Sequence, residues 1–325
     1  MPAIAVSAGP AALSVSVALP GSTALSGSTG LSASITSSVA AGPAAVVPVV
    51  VLAAAVLHAV WNGLAHRIPD KLVGFTLINL AYTACAVVLV VLNPVPAAGA
   101  WPFLIASVVT EVASQLLLLR AYQLGDFGQM YPIARGSAPL LVAVLSVALL
   151  GQRLGAGELL GVLVISCGLL GLAFAKGIPG RAQLPALGAA AGTGVMIAAY
   201  TVLDGSGVRH AGTVGGYVAW LFLLQGPCLL LIVRLRRGRG LLAGVGGSVV
   251  PLGIAGGVLS LTAYGLVVWA QSRGNLATIA ALRETSIVIA ALMATVVFRE
   301  RLGRLRLTAS ATVLAGIAVL EFARP

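Results

Sequence analysis

Ten apolar runs, each about twenty residues long, follow one another along this chain. They lie near residues 47–66, 72–92, 101–120, 128–150, 156–175, 183–203, 213–233, 247–270, 275–298 and 306–322. A helix of that length spans the hydrocarbon core of a bilayer, where the backbone finds no water to bond and must satisfy itself internally. The runs therefore predict an all-α, polytopic membrane protein of ten transmembrane helices. The short alternating segments of a membrane β-barrel are missing. Breaks in the pattern fall where helices should end: Pro69, "NPVP" at 93–96, "GQRLG" at 151–155, "KGIPGR" at 176–181 and "RRGRG" at 236–240.

Composition closes off the alternatives. Only 8% of residues are charged, against about 25% in soluble domains, and mean hydropathy is +1.06. Too few polar groups exist to cover a water-exposed surface. The net charge of +11 does not point to nucleic acid, because the basic residues cluster between the apolar runs, as in "RLRRGRG" and "FRERLGRLR". Cys85, Cys167 and Cys228 all sit inside apolar runs. No Cys/His grouping offers a metal or disulfide framework. The motifs H-E-x-x-H, G-x-S-x-G and the phosphate-binding loop are missing too, so neither catalysis nor ATP hydrolysis is expected, and no cofactor.

Residues 1–45 carry no charge and consist largely of Ser, Ala, Gly and Val. A secretory signal would have a basic start. The segment reads as a low-complexity, disordered tail; an extra span at 3–19 is the competing reading.

The second half repeats the first. "ARGSAPLLVAVLSVALLGQRLG" (134–155) aligns with "LRETSIVIAALMATVVFRERLG" (282–303), and Arg135 meets Arg283 at a separation of 148 residues. Arg153, Leu154 and Gly155 meet Arg301, Leu302 and Gly303 at the same separation, as Gly168 meets Gly316. A weaker pair is "WNGLAHR" (61–67) with "LDGSGVR" (203–209). The chain divides into 46–176 and 182–323, five helices each. Five is odd, so the second half enters from the opposite face, and an inverted repeat of the kind found in secondary transporters is expected.

Four segments carry a family resemblance: "VLHAVWNGLAHR", "GQMYPIARGSAPLLVAVLSVALLGQRLG", "AAYTVLDGSGVR" and "IAALRETSIVIAALMATVVFRERLG". Over about residues 47–322 the chain resembles an EamA-like member of the drug/metabolite transporter superfamily. The resemblance implies ten helices, a central cavity between the halves, and export of small metabolites such as amino acids. Gln152, where the family often has Glu, and the long tail depart from it.

Charges inside a membrane cost about 2.5–3.5 kcal/mol each on insertion scales, so they mark function by default. Arg135 and Arg283 lie inside the fourth and ninth runs, one in each half. They are candidates to bind a substrate carboxylate or to gate the two ends of a cavity; headgroup contact or a helix-neighbour pair is the plainer alternative. Glu284 follows Arg283, but adjacent helical residues do not face each other, so it is a candidate in its own right. Glu111 shares a polar stripe with Ser107, Ser114 and Gln115, and a lone carboxylate in a dry bundle suits a proton carrier. In the first run His58, Trp61 and Asn62 share a face; His changes charge near neutral pH, and Trp offers a stacking surface. Tyr200 and Thr201 share a face with Asp204, which is expected to be solvent-exposed near its helix end. Ser260, Tyr264 and Gln271 form a weaker stripe, expected mainly in core packing, with Tyr264 kept among the candidates.

These residues predict a secondary transporter in the plasma membrane, exporting a small metabolite by alternating access, coupled to protons or driven by the substrate gradient. A zwitterionic amino acid would satisfy both Arg135/Arg283 and Glu111. A flippase or enzyme acting on a lipid-linked substrate is the rival, opposed by loops too short to hold a catalytic cluster. The expected partners are the small-molecule substrate and the lipid bilayer, not nucleic acid, and a homodimer is compatible with the pattern.

Orientation sets two arguments against each other. Loops after the first, third, fifth, seventh and ninth runs carry thirteen Lys and Arg, the other side four. The positive-inside rule then puts the thirteen in the cytoplasm and both termini outside, whereas the family resemblance implies both termini inside. The charge count predicts that a single Cys replacing Gly238 in a protein stripped of its native cysteines resists an impermeant thiol reagent on intact cells. Labelling from outside would restore the family orientation.

Overall fold

The computed structural model describes residues 43–174, 177, 180–237, 246–296 and 304–323. The expectations for residues 1–42, the extra span at 3–19 included, and for Lys176, Arg239, Arg299, Arg301 and Arg324 lie outside the described residues.

Among the described residues the structure is all-helical. In chain order the helices are α1 (Pro43–His66), α2 (Lys71–Leu92), α3 (Trp101–Leu124), α4 (Phe127–Leu150), α5 (Ala156–Ala173), α6 (Leu184–His210), α7 (Val214–Arg237), α8 (Val249–Gln271), α9 (Leu276–Arg283), α10 (Thr285–Val296) and α11 (Arg304–Phe322). Nine spans are long and apolar enough to cross a bilayer, with α9 and α10 jointly forming the ninth; Leu307–Phe322 is a shorter apolar helix. The chain is a multi-pass membrane protein.

Two helices differ from the sequence expectation, and both differences bear on the site. The ninth run, expected as one helix over 275–298, is broken at Glu284, the residue between α9 and α10. There the backbone tightens, with the Glu284 N–H bonded to the Ala281 carbonyl at 3.1 Å and the Ile287 N–H to that of Glu284 at 3.0 Å. The sixth run, expected to end at 203, continues to His210. The glycines of "LDGSGVR" do not stop it, because neighbouring helices press on this segment and favour a residue without a side chain.

Local chemistry sets the helix starts. Asp70 accepts from the Leu72 N–H at 2.9 Å. Asp126 caps α4 through the Gly128 N–H at 2.8 Å, and Asn275 caps α9 through the Ala277 N–H at 3.0 Å. Each such cap satisfies a donor that the first turn leaves free. Proline acts inside the helices as well. Pro139 has no N–H to offer the carbonyl four residues back, which belongs to Arg135.

Helix packing follows a pattern that repeats five helices on. α3 packs against α6, and α8 against α1. α4 packs against α6, and α9 and α10 against α1. α2 meets α7, α5 meets α11, and α4 meets α9. In lipid, close backbone approach takes the place of the hydrophobic drive between helices. At the α5–α11 contact a Cβ on Gly316 would lie 2.9 Å from the Ile165 nitrogen and 3.1 Å from the Gly161 carbonyl oxygen. Backbone cannot move aside as a flexible side chain can.

Gly316→Leu should therefore lower the thermal stability of the purified protein by about 1–3 kcal/mol, the usual cost of overpacking. Gly171→Ala, where an added Cβ meets nothing within 4 Å, should leave it unchanged. Equal melting of both variants and the parent would show that the α5–α11 approach does not stabilise the fold.

Candidate functional site

Arg135 and Glu284 meet in the interior. An Arg135 guanidinium nitrogen lies 3.0 Å from Glu284 Oε1, with the side chains 9% and 1% exposed. At about 1.5 Å of rise per residue, Arg135 stands about 12 Å into α4 and Arg283 about 10 Å into α9. α4 and α9 pack against each other, so the two cations lie at similar depths along neighbouring helices. The break at Glu284 gives the ninth span its use here. It places Glu284 in a tightened turn between α9 and α10, with its carboxylate against Arg135 of α4. Adjacent helical residues do not face each other, and the carboxylate next to Arg283 does indeed serve Arg135.

Other polar atoms in this region lack protein partners. Among the described residues, Nε of Arg135, Nε of Arg283 and Oε2 of Glu284 are buried without a hydrogen bond, as is Oε2 of Glu111. Buried charged groups are costly unless satisfied, and these donors and acceptors are free of protein partners for a polar ligand to use.

Glu111 on α3 and Asp204 on α6 add an acidic pole. Asp204 was expected to be exposed and is fully buried. The extension of α6 to His210 explains the difference, since it carries Asp204 well inside the helix. Its Oδ1 accepts from the Tyr217 hydroxyl at 2.9 Å, and its Oδ2 accepts from the Tyr264 hydroxyl. Gly207 makes room for this: a Cβ there would lie 2.5 Å from the Tyr217 oxygen. Ser107 of α3 is fully buried beside Asp204. Glu111 is close enough to feel the charges of Asp204 and Arg283, and the Tyr264 hydroxyl also lies in its hydrogen-bonding reach. Tyr264 therefore takes part in the polar cluster rather than in core packing alone.

The remaining candidates divide. His58 on α1 faces both Arg135 and Arg283, and its ring meets Trp61 edge-on at 5.1 Å. The Trp61 indole N–H is buried and unpartnered. Tyr200 interacts with Arg283, Glu111, Arg135 and Asp204, and its ring lies 6.3 Å from that of Tyr264. Asn62, by contrast, donates to the His58 carbonyl of its own helix at 2.8 Å, a local bond. Gln115 is half-buried one turn beyond Glu111 and takes no part in the hydrogen bonds of the cluster. Sequence reasoning missed Asp204, Tyr217 and Tyr131, the last of which interacts with Arg135 and Glu284. The shared face of Tyr200, Thr201 and Asp204 was the signal that could have found Asp204.

One end of α9 is tied to its surroundings by polar bonds. The Leu276 N–H donates to Gln152 Oε1 at 3.1 Å, Asn275 Nδ2 to the Arg153 carbonyl at 3.1 Å, and Thr278 to Glu158 at 3.1 Å. Arg209 donates to the Gln271 and Gly274 carbonyls at 2.8 and 2.9 Å. Gln152, of little account in the sequence reading, thus holds the start of the helix that carries Arg283. Gln271 is fully buried, with both side-chain polar atoms unpartnered.

Comparison with known proteins agrees with this architecture. Residues 184–322 match the EamA-like transporter family, part of the drug/metabolite transporter superfamily. No curated protein matches the chain. One solved crystal structure, titled only as that of a protein, superposes with a TM-score of 0.66 at 19% identity, covering 85% of this chain and 96% of that one. At that identity the likeness shows the fold alone.

Removing one partner of a buried ion pair leaves the other uncompensated, at a cost of about 3–5 kcal/mol. Arg135→Met should therefore unfold in detergent at markedly lower temperature than the parent. Arg135→Met combined with Glu284→Gln should recover most of that loss. If the single and double variants are equally unstable, the two side chains are not coupled.

Proposed function

We propose, from the match of residues 184–322 to the EamA-like transporter family and from the buried charges contributed by both halves, that this protein is a secondary transporter. It exports a small zwitterionic metabolite such as an amino acid across the plasma membrane by alternating access, coupled to protons. Residues 46–176 and 182–323 form its two inverted repeats. The packing pattern that recurs five helices on supports that division.

The observation that carries the reading is the composition of the cluster. Arg135 and Glu111 come from the first half, Arg283, Glu284 and Asp204 from the second, and all five are less than a tenth exposed. A purely structural charge network would pair its members off. Here Arg283 and Glu111 keep unpartnered atoms of opposite sign. A carboxylate fits the first, an ammonium group the second. A site assembled from both halves is also one that relative movement of the halves can open to either face. The interrupted ninth span and the ties at the start of α9 are suited to such a movement.

Each element of this reading has a direct check. In a growth-protection screen, overexpression should raise tolerance to one or a few amino acids or close analogues, and protection against none would count against export. With the protected compound in hand, Arg283→Ala should weaken its apparent affinity by about 10–100-fold, the worth of a charged hydrogen bond. Lys should rescue poorly where a planar fork grips a carboxylate; full rescue by Lys would reduce the cation to a point charge. Glu111→Gln should abolish proton-driven flux while leaving the protein folded and inserted, and unchanged pH-dependent flux would remove Glu111 from coupling.

A further inference from the structure

We propose that Glu111 and Asp204 hold a single proton between them across the Tyr264 hydroxyl, with Asp204 as its fixed, charged partner. The inference starts from counting hydrogens. A phenol has one O–H to donate. Tyr264 gives it to Asp204 Oδ2, and Tyr217 gives its own to Oδ1, so Asp204 accepts on both oxygens. Glu111 lies within reach of the Tyr264 oxygen, whose one hydrogen is already committed to Asp204. Two acceptors cannot bond each other. The contact is favourable when Glu111 brings the hydrogen, as a carboxylic acid donating to the Tyr264 oxygen.

Charge balance gives the same number independently. The cluster holds the cations Arg135 and Arg283 and the carboxyl groups Glu111, Asp204 and Glu284. Arg135 is paired with Glu284, leaving Arg283 to balance one negative charge. Both remaining carboxylates ionised would leave a net charge in the dry interior, where an uncompensated ion is expensive. One proton on the pair makes the cluster neutral. The other titratable groups facing the pair are Tyr82 of α2, Tyr200 of α6, Tyr217 of α7 and Arg283 of α9. The remaining oxygen of Glu111 is buried without a protein partner, and a substrate ammonium group can approach there. When it does, the Glu111 O–H bond breaks and its proton leaves to water. Glu111, now ionised, pairs with the ammonium group, whose charge takes the place of the departed proton, while the carboxylate of the same substrate lies against Arg283. Use of the proton for coupling rests on the transport reading; its presence on the pair does not.

The test is infrared spectroscopy of the purified, full-length protein in lipid at neutral pH, reading the C=O stretch of protonated carboxyl groups. The parent should show one such band that is slow to shift in D₂O. Glu111→Gln should remove it, and Tyr264→Phe, which deletes one oxygen, should shift it. Asp204→Asn should also remove it although Glu111 is intact, because Glu111 is then left as the single balance to Arg283. No band in the parent, a band unmoved by Tyr264→Phe, or a band that survives Asp204→Asn would each overturn the shared proton. If Asp204→Asn does not fold, Glu111→Gln and Tyr264→Phe decide the matter. Loss of transport with the band pattern intact would overturn the transport reading and leave the proton in place.

Discussion

The ion pair between Arg135 and Glu284 is the interaction on which the rest of the structure turns. Charges placed in a lipid bundle must find each other, since neither water nor the alkyl chains can take them. The pair joins a helix of the first half to the interrupted span of the second. It accounts for a break in what would otherwise be a plain apolar helix. Neighbouring residues of opposite charge serve different partners, because adjacent helical positions point in different directions. Glu284 meets Arg135, and Arg283 is left with capacity to spare. A site of this kind is preorganised by one direct ion pair and keeps hydrogen-bonding capacity on a second cation.

The small residues make the cluster possible. Gly316 lets α11 approach α5, and Gly207 leaves room for the Tyr217 ring beside α6, where its hydroxyl reaches Asp204. Larger residues at these points would hold the helices apart, and the hydrogen bonds to Asp204 could not close. Packing and chemistry are thus coupled. The glycines that look like generic membrane filler decide whether the polar groups meet.

Much of this could be read in the sequence because a bilayer imposes strong rules. Span length, the all-helical class and the positions of nearly all the helices follow from hydropathy alone. Arg135, Arg283 and Glu111 stood out because charge inside an apolar run is rare. What escaped had physical causes. Asp204 lies in a segment rich in glycine, and local propensity argued that α6 ended there; tertiary packing held the helix to His210 instead. The break at Glu284 has no proline or glycine to announce it. It coincides with the contact to Arg135 on another helix, a tertiary partner that no local pattern encodes. Asn62 and Gln115 share helix faces with true members of the cluster, yet a shared face does not ensure a shared site.

The account stands or falls on whether the buried cluster can be reached from both faces of the membrane. Ser107 offers the most direct measurement, being fully buried beside Asp204. In a protein whose other cysteines are replaced, Ser107→Cys in sealed vesicles of known orientation would be exposed to a small, impermeant thiol reagent added to one side at a time. Alternating access predicts modification from either side, slow because each opening is transient. Modification from one side alone, or from neither, would contradict a transport site at this cluster.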